Sequence, residues 1–273
     1  MNRILSLAGT EFRIALRNRW VAIAVLLMAV FSLVLSAAGS APTGALGADR
    51  LSVVVASLTS LAVYLVPLVA LLMSFDAVAG EVERGTLPLL LTYPVTRAEV
   101  LAGKALAHLA VLGVALAVGY GLAGIAAFLA DRSAVSGLPA LLRLFWTSAV
   151  LGLIFIALGY ALSSLARRPS GAAGLAIGLW LGLVVLYDLG LLAAVVADGG
   201  GAFTTRALPA LLLANPADAF RLYNLAASEA TAAAAGLGGA ANAISPLAAL
   251  AAMLAWVLAA FAAAWAAFRK VTP

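Results

Sequence analysis

The chain has 273 residues, of which 65% are hydrophobic and 10% charged, with a formal net charge of +5 and no cysteine. A water-facing surface uses roughly 25% charged residues, so a soluble domain is excluded. The absence of thiols excludes a disulfide framework and a thiolate metal centre, and the basic residues flank apolar runs of spanning length, which points to orientation in a bilayer rather than to nucleic acid.

Residues 1–19 carry too many charges to span. Leu5, Ala8, Phe12, Ala15 and Leu16 share one helical face, with Arg3, Glu11, Arg13 and Arg17 largely elsewhere. The pattern predicts an amphipathic helix lying on the inner leaflet and not a cleavable signal. Six apolar stretches follow, near Trp20–Ala38, Leu51–Phe75, Ala105–Ala130, Pro139–Leu165, Ala172–Ala197 and Pro246–Phe268. Each reaches the length a helix needs to cross about 30 Å of hydrocarbon. The expected fold is a single all-α membrane domain over residues 1–273, with six transmembrane helices.

With the N-terminus inside, eleven basic residues fall on the inner side: Arg3, Arg13, Arg17, Arg19, Arg84, Arg97, Lys104, Arg167, Arg168, Arg269 and Lys270. Five fall on the outer side: Arg50, Arg132, Arg143, Arg206 and Arg221. The bias places both termini in the cytoplasm of a bacterial inner membrane.

Residues 76–104 form the long inner connection. Glu81 and Glu83 precede Gly85, a hinge or helix end; Thr86 is a candidate N-cap, and Leu87 to Leu91 form a short apolar helix that Pro94 stops. Thr96 and Glu99 make a capping box that opens the next long helix. The pattern E-x-E-x-G-T-L-x-L-L-L-x-x-P-V-T-R over Glu81–Arg97, followed by Gly103-Lys104, resembles the signature of ABC-2-type permeases. The resemblance implies that this region is a cytoplasmic coupling helix seated in a groove of a separate ABC ATPase. It implies coupling roles for Glu81, Glu83, Gly85, Thr86, Leu87, Leu90, Pro94 and Arg97, with the leucines supplying apolar contact and the glutamates anchoring the helix end.

In the fifth span, Gly174, Gly178 and Gly182 form a small-residue stripe that lets helices approach closely, as a seam with a second copy of the chain or as an intrachain contact. Asp188 is the one acid well inside an apolar stretch, within reach of water or of a loop arginine on the outer side. His108 reads as an interfacial residue of the third span.

Residues 198–245 form the long outer connection, with short helices expected over Ala207–Ala214 and Ala217–Ala226, divided by Asn215-Pro216, and a flexible return over Ala232–Ala243. Its N-P-x-D-x-F-R-L core, Asn215 to Leu222, resembles the permeases of nitrous oxide reductase maturation systems. That resemblance implies a periplasmic β-helical partner and a role in copper–sulfide centre assembly. Asn215, Pro216, Asp218, Phe220, Arg221 and Leu222 are the expected docking residues.

No phosphate loop, nucleophile elbow or zinc-protease motif occurs, so the chain is not expected to be an enzyme or to hold a cofactor; ATP and magnesium belong to the partner ATPase. One histidine and four methionines are a poor set for copper, which leaves copper to the periplasmic partner. Two alternatives remain. An exporter of a drug, lipid or glycan would need no periplasmic partner. A secondary transporter would show inverted repeats and a charged midplane site, and neither is found.

Overall fold

The computed structural model describes residues 2–16, 19–38, 50–226 and 245–272. Every regular element among them is helical. Helix α1 (Asn2–Leu16) is followed by α2 (Arg19–Ala38), α3 (Arg50–Ser74), two short helices α4 (Ala79–Glu83) and α5 (Thr86–Thr92), and the 34-residue α6 (Arg97–Ala130). A 3-10 turn over Arg132–Gly137 leads into α7 (Leu138–Leu165). Next come α8 (Pro169–Trp180), a π-helical turn (Leu181–Leu186) and α9 (Tyr187–Asp198). A second π turn (Phe203–Ala207) precedes α10 (Leu208–Ala214) and α11 (Pro216–Ala226), and α12 (Pro246–Phe268) closes the chain.

Among the described residues, five helical stretches are long and apolar enough to cross a membrane: Arg50–Glu83, Arg97–Ala130, Arg132–Leu165, Pro169–Asp198 and Pro246–Phe268. Helix α2 has 20 residues, about 30 Å of helix, at the position of the first expected span. The third span begins at Arg97 and not at Ala105, because the capping box at Thr96 nucleates the helix two turns before the apolar run starts. The expected return over Ala232–Ala243 lies outside the described residues.

Helices α3 and α7 form the centre of the bundle, packed on each other, with α6 and α12 both against α7. Helix α2 packs on α6, and α11 is wedged among α12, α3 and α7. The fifth span, α8 to α9, is peripheral. Only 11% of its apolar window is buried, against 67% for the α3 stretch.

Helix α1 lies against the first turns of α6. Leu7 and Phe12 pack on the core and Ala15 is buried, whereas Leu5 is 58% exposed. The seated face is therefore centred on Leu7 and Phe12, one step round from the face predicted. Gly103 makes this docking possible, since a Cβ there would stand 2.8 Å from the Leu7 Cβ. Arg97 donates from Nη1 to the Phe268 and Val271 carbonyls at 2.6 and 2.9 Å, so a cation caps the C-terminus of α12 and ties the chain end to the same end of the bundle as α1. That end is called the terminal end below, and the opposite one the far end.

Candidate functional site

At the terminal end, the long helix α3 breaks at Phe75–Val78. Ser163 of α7 accepts hydrogen bonds from the Val78 and Ala79 amides at 3.0 and 2.9 Å, which satisfies donors that the break frees and starts α4. Gly85, at φ +67°, reverses the chain; only glycine adopts this conformation without strain. It also occupies the N-cap position of α5, so Thr86 is the first helical residue and not the cap. The Thr86 hydroxyl instead donates to the Glu81 carbonyl at 3.3 Å. Helix α5 ends at Thr92, ahead of Pro94, and the capping box of α6 is complete: Thr96 Oγ1 accepts from the Glu99 amide and the Glu99 carboxylate accepts from the Thr96 amide.

The orientation of α5 differs from that expected. Leu87 is fully buried in the bundle and Leu90 is half-buried against it, so neither forms an outward contact face. Leu89 and Tyr93, one helical turn apart, are 65% and 67% exposed beside exposed Pro88. A groove of about 890 Å³ runs between this face and α1, lined by Arg3, Thr10, Ile14, Leu89, Tyr93 and Val95 among others. The direction of a leucine on a helix of seven residues depends on how its two ends are held, and those ends are set by tertiary contacts.

Three contacts hold α5 and α1 together. Arg3 donates to the Pro94 carbonyl at 2.6 Å, and Lys104 Nζ lies 2.6 Å from both Glu11 and Glu81. Lys104 is 3% exposed, with its two carboxylates at 18% and 15%. One buried cation from α6 thus binds an acid from α1 and an acid from the end of the α3–α4 arm. Glu83, by contrast, is exposed and only Glu81 is engaged. Arg97, placed by sequence in the coupling face, caps α12 instead. The residue that sequence reasoning missed is Lys104; the available signal was a lone lysine two turns into a helix whose other neighbours are apolar. A cavity of about 490 Å³ opens beside the triad, lined by Glu11, Asp76, Glu81, Arg84, Lys104 and His108 among others. His108 is buried and not interfacial, with Nδ1 2.7 Å from the Tyr160 hydroxyl.

At the far end, α10 and α11 are present within a residue or two of their expected bounds, divided by Asn215. Four of the six expected docking residues face inward. Asn215, Pro216, Asp218 and Phe220 are buried, and Phe220 has no exposed surface at all; Arg221 and Leu222 are half-buried. The amphipathic α11 turns its apolar face into the bundle, so these side chains are occupied within the chain and leave no anchor for a partner. Asn215 Oδ1 accepts from the Ala217 amide at 2.8 Å while its Nδ2 donates to the Leu183 carbonyl at 2.6 Å. That carbonyl sits in the π turn of the fifth span. Tyr187 donates to the Leu211 carbonyl at 2.8 Å, and Trp256 of α12 donates to the Ala214 carbonyl at 3.0 Å. Asn224 pairs with Thr147 of α7.

Asp188 is reached by a loop arginine, as its position suggested. Arg221 grips it with two nitrogens, at 2.8 and 3.3 Å, and also lies 3.3 Å from Asp218. Burial, then the nearby Asp188 carboxylate, push the Asp218 carboxyl up to about 7 against the pull of Arg221.

Of the two uses expected for the glycines of the fifth span, the intrachain one finds no contact among the described residues. Among the described residues, nothing lies within 4 Å of a Cβ built at Gly174, Gly178 or Gly182, so the stripe makes no close contact with the described part of the chain. The π turn begins at Leu181 and rotates Gly182 away from the line of the other two.

A family model for ABC-2 family transporter proteins matches residues 5–271. Two relatives are similar along most of their length. A probable ABC transporter permease protein NosY of Pseudomonas aeruginosa is 45% identical over 231 residues, 84% of each chain. A protein of the same name from Stutzerimonas stutzeri is 41% identical over 238 residues, covering 85% of this chain and 84% of that one. The family match over residues 5–271, with two relatives above 40% identity over most of the chain, places the chain in the ABC-2 family of transporter proteins.

Proposed function

We propose that the chain is the membrane subunit of an ABC transporter in the bacterial inner membrane, driven by a separate cytoplasmic ATPase that carries the ATP and magnesium. In this reading α2 joins the five long apolar stretches as the first of six spans, and the terminal end faces the cytoplasm. The observation that carries the reading is the α5 arm. It is a rigid apolar helix, broken at both ends, with Leu89 and Tyr93 turned outward and its inner side tied to α1 and α6 through Arg3 and Lys104. An ATPase that grips this face moves α5, α1 and the base of the third span together.

A second copy of the chain completes the membrane unit. The peripheral fifth span, with Gly174 and Gly178 unoccupied by any neighbour among the described residues, supports its use as the seam. The names of the two relatives and the N-P-x-D-x-F-R-L core favour nitrous oxide reductase maturation, with a β-helical periplasmic protein at the far end and copper handled by that partner. The buried motif gives the partner no anchor, so its contact falls on exposed far-end residues such as Thr205, Arg206 and Ala210. Export of a drug, lipid or glycan is the second reading, favoured by the same arm and by no feature of the far end.

Affinity purification of the tagged chain in mild detergent tests this. An ABC ATPase and a periplasmic β-helical protein are expected to co-purify with it, and Leu89→Glu is expected to lose the ATPase alone. An ATPase retained in full by Leu89→Glu overturns the assignment of the coupling face, and a complex lacking any ATPase overturns the function.

A further inference from the structure

The N-P-x-D-x-F-R-L core, turned largely into the bundle, calls for another role. It supplies two of the three charged groups of a cluster in which two carboxylates, Asp188 and Asp218, meet one guanidinium, Arg221. Asp218 is 4% exposed, and Asp188 and Arg221 are about a quarter exposed at 26% and 27%. With both acids ionised the cluster carries one uncompensated negative charge in apolar surroundings, which is costly. With one proton between them, the charges balance and the protonated carboxyl becomes a donor to its neighbour.

Among the described residues, no other printed contact brings a positive charge to the cluster. Tyr64 of α3 and Tyr187 of α9 also bear on it, and a phenol cannot carry a positive charge. Helix α12 and helix α10 contain no titratable residue. Arg143 of α7 reaches the carbonyl of Asn224, at the other end of α11. Arg206 precedes α10 and is exposed.

We propose that Asp188 and Asp218 form a proton-binding site whose occupancy latches α10 and α11 to the fifth span. The proton allows Asp188 to hold Arg221 while Asp218 stays buried. Its loss sets two carboxylates against each other across the joint between α9 and α11. The remaining ties to the fifth span, Asn215 to Leu183 and Tyr187 to Leu211, are neutral hydrogen bonds and do not compensate a buried charge. The partial exposure of Asp188 and Arg221 provides the route by which the proton exchanges with water. The site is independent of any ATPase, so its test stands apart from the coupling assignment.

The sign follows from the cluster. A carboxyl whose folded-state affinity for protons exceeds that in the unfolded chain stabilises the closed latch at low pH, and the stabilisation is lost as pH rises through about 7. Amide hydrogen exchange of the Pro216–Ala226 segment in the detergent-purified full chain, corrected for the intrinsic pH dependence of exchange, reads this directly. About a tenfold loss of protection is expected between pH 5 and 6, where the closed state holds the proton and opening releases it, with the loss levelling off above about pH 7. Asp218→Asn and Asp188→Asn, each nearly isosteric, are expected to give protection independent of pH over the same range. The Thr86–Thr92 segment at the terminal end is expected to show no such change. A wild-type profile that is flat, a loss that persists in both variants, or an equal loss in both segments overturns the proposal. Protection restored at pH 8 by sodium chloride but not by N-methylglucamine chloride assigns the site to a metal cation and overturns the proton assignment.

Discussion

Each end of the bundle holds one cation between two carboxylates, and the two clusters differ in which partner is buried. At the terminal end the buried group is the cation, Lys104, and both acids keep some access to water. At the far end the buried group is an acid, Asp218, and the cation is partly exposed. A lysine enclosed by two nearby acids remains charged at every physiological pH, so the terminal joint is a permanent clamp. A buried acid that already shares its arginine can be neutralised by a proton, so the far joint has two states. Similar residue counts thus yield a fixed fastening at the terminal end and, on the proton-latch reading, a releasable one at the far end.

The strongest way to break this comparison is to remove the buried cation. Lys104→Met leaves two carboxylates without a partner and is expected to cost about 3–5 kcal/mol, measured as a fall in the thermal midpoint of the detergent-purified chain. Adding Glu11→Gln and Glu81→Gln is expected to recover much of the loss, since a neutral triad strands no charge. A triple variant no more stable than Lys104→Met would show that packing, not charge, holds the joint.

Phe220→Ala comes next. Its ring is fully buried under α11, so truncation is expected to cost about 3 kcal/mol of stability. A variant of unchanged stability that loses only a periplasmic partner would return this residue to a docking surface. Arg221→Gln is expected to cost about 1–2 kcal/mol, reduced by the partial exposure of both partners, with the larger loss above pH 7 where two carboxylates face each other. Equal losses at pH 6 and 8 would count against a releasable joint. The smallest stability effect belongs to Leu89→Ala, within about 0.5 kcal/mol of wild type because the side chain faces outward. ATPase co-purification is where that variant is expected to show its defect.

The sequence made the helices legible because each start and stop has a local cause. The Thr96–Glu99 box, Gly85, Pro94 and the Asn215-Pro216 break all act through the backbone within a few residues. Direction was not legible. Leu87 and Leu89 are the same residue type on either side of Pro88, and which of them is buried depends on tertiary ties such as those from Arg3, Lys104 and Ser163. The far-end motif misled for a related reason. A long connection of short helices signals an exposed appendage on average, but the amphipathic α11 has an apolar face that finds α12, α3 and α7. The pairing of Asp188 with Arg221 was anticipated in kind, because an intramembrane acid demands a counter-charge, but its chain separation of 33 residues is set by the fold alone.

The π turn at Leu181–Leu186 inserts one residue into the winding of the fifth span. One residue is worth about 100° of rotation about the helix axis. Everything beyond the turn is therefore dialled round relative to α8, so a single helix shows one azimuth to whatever meets Gly174 and Gly178 and another to Asn215 and Arg221. Removing one residue from the turn would wind the two halves into phase. Asp188 would swing away from its arginine, and the Leu183 carbonyl taken by Asn215 would return to the helix ladder, without the loss of a single functional side chain. The helix acts as a phase shifter between a seam and a latch, and the geometric setting of the far end is encoded in the number of residues as much as in their identity.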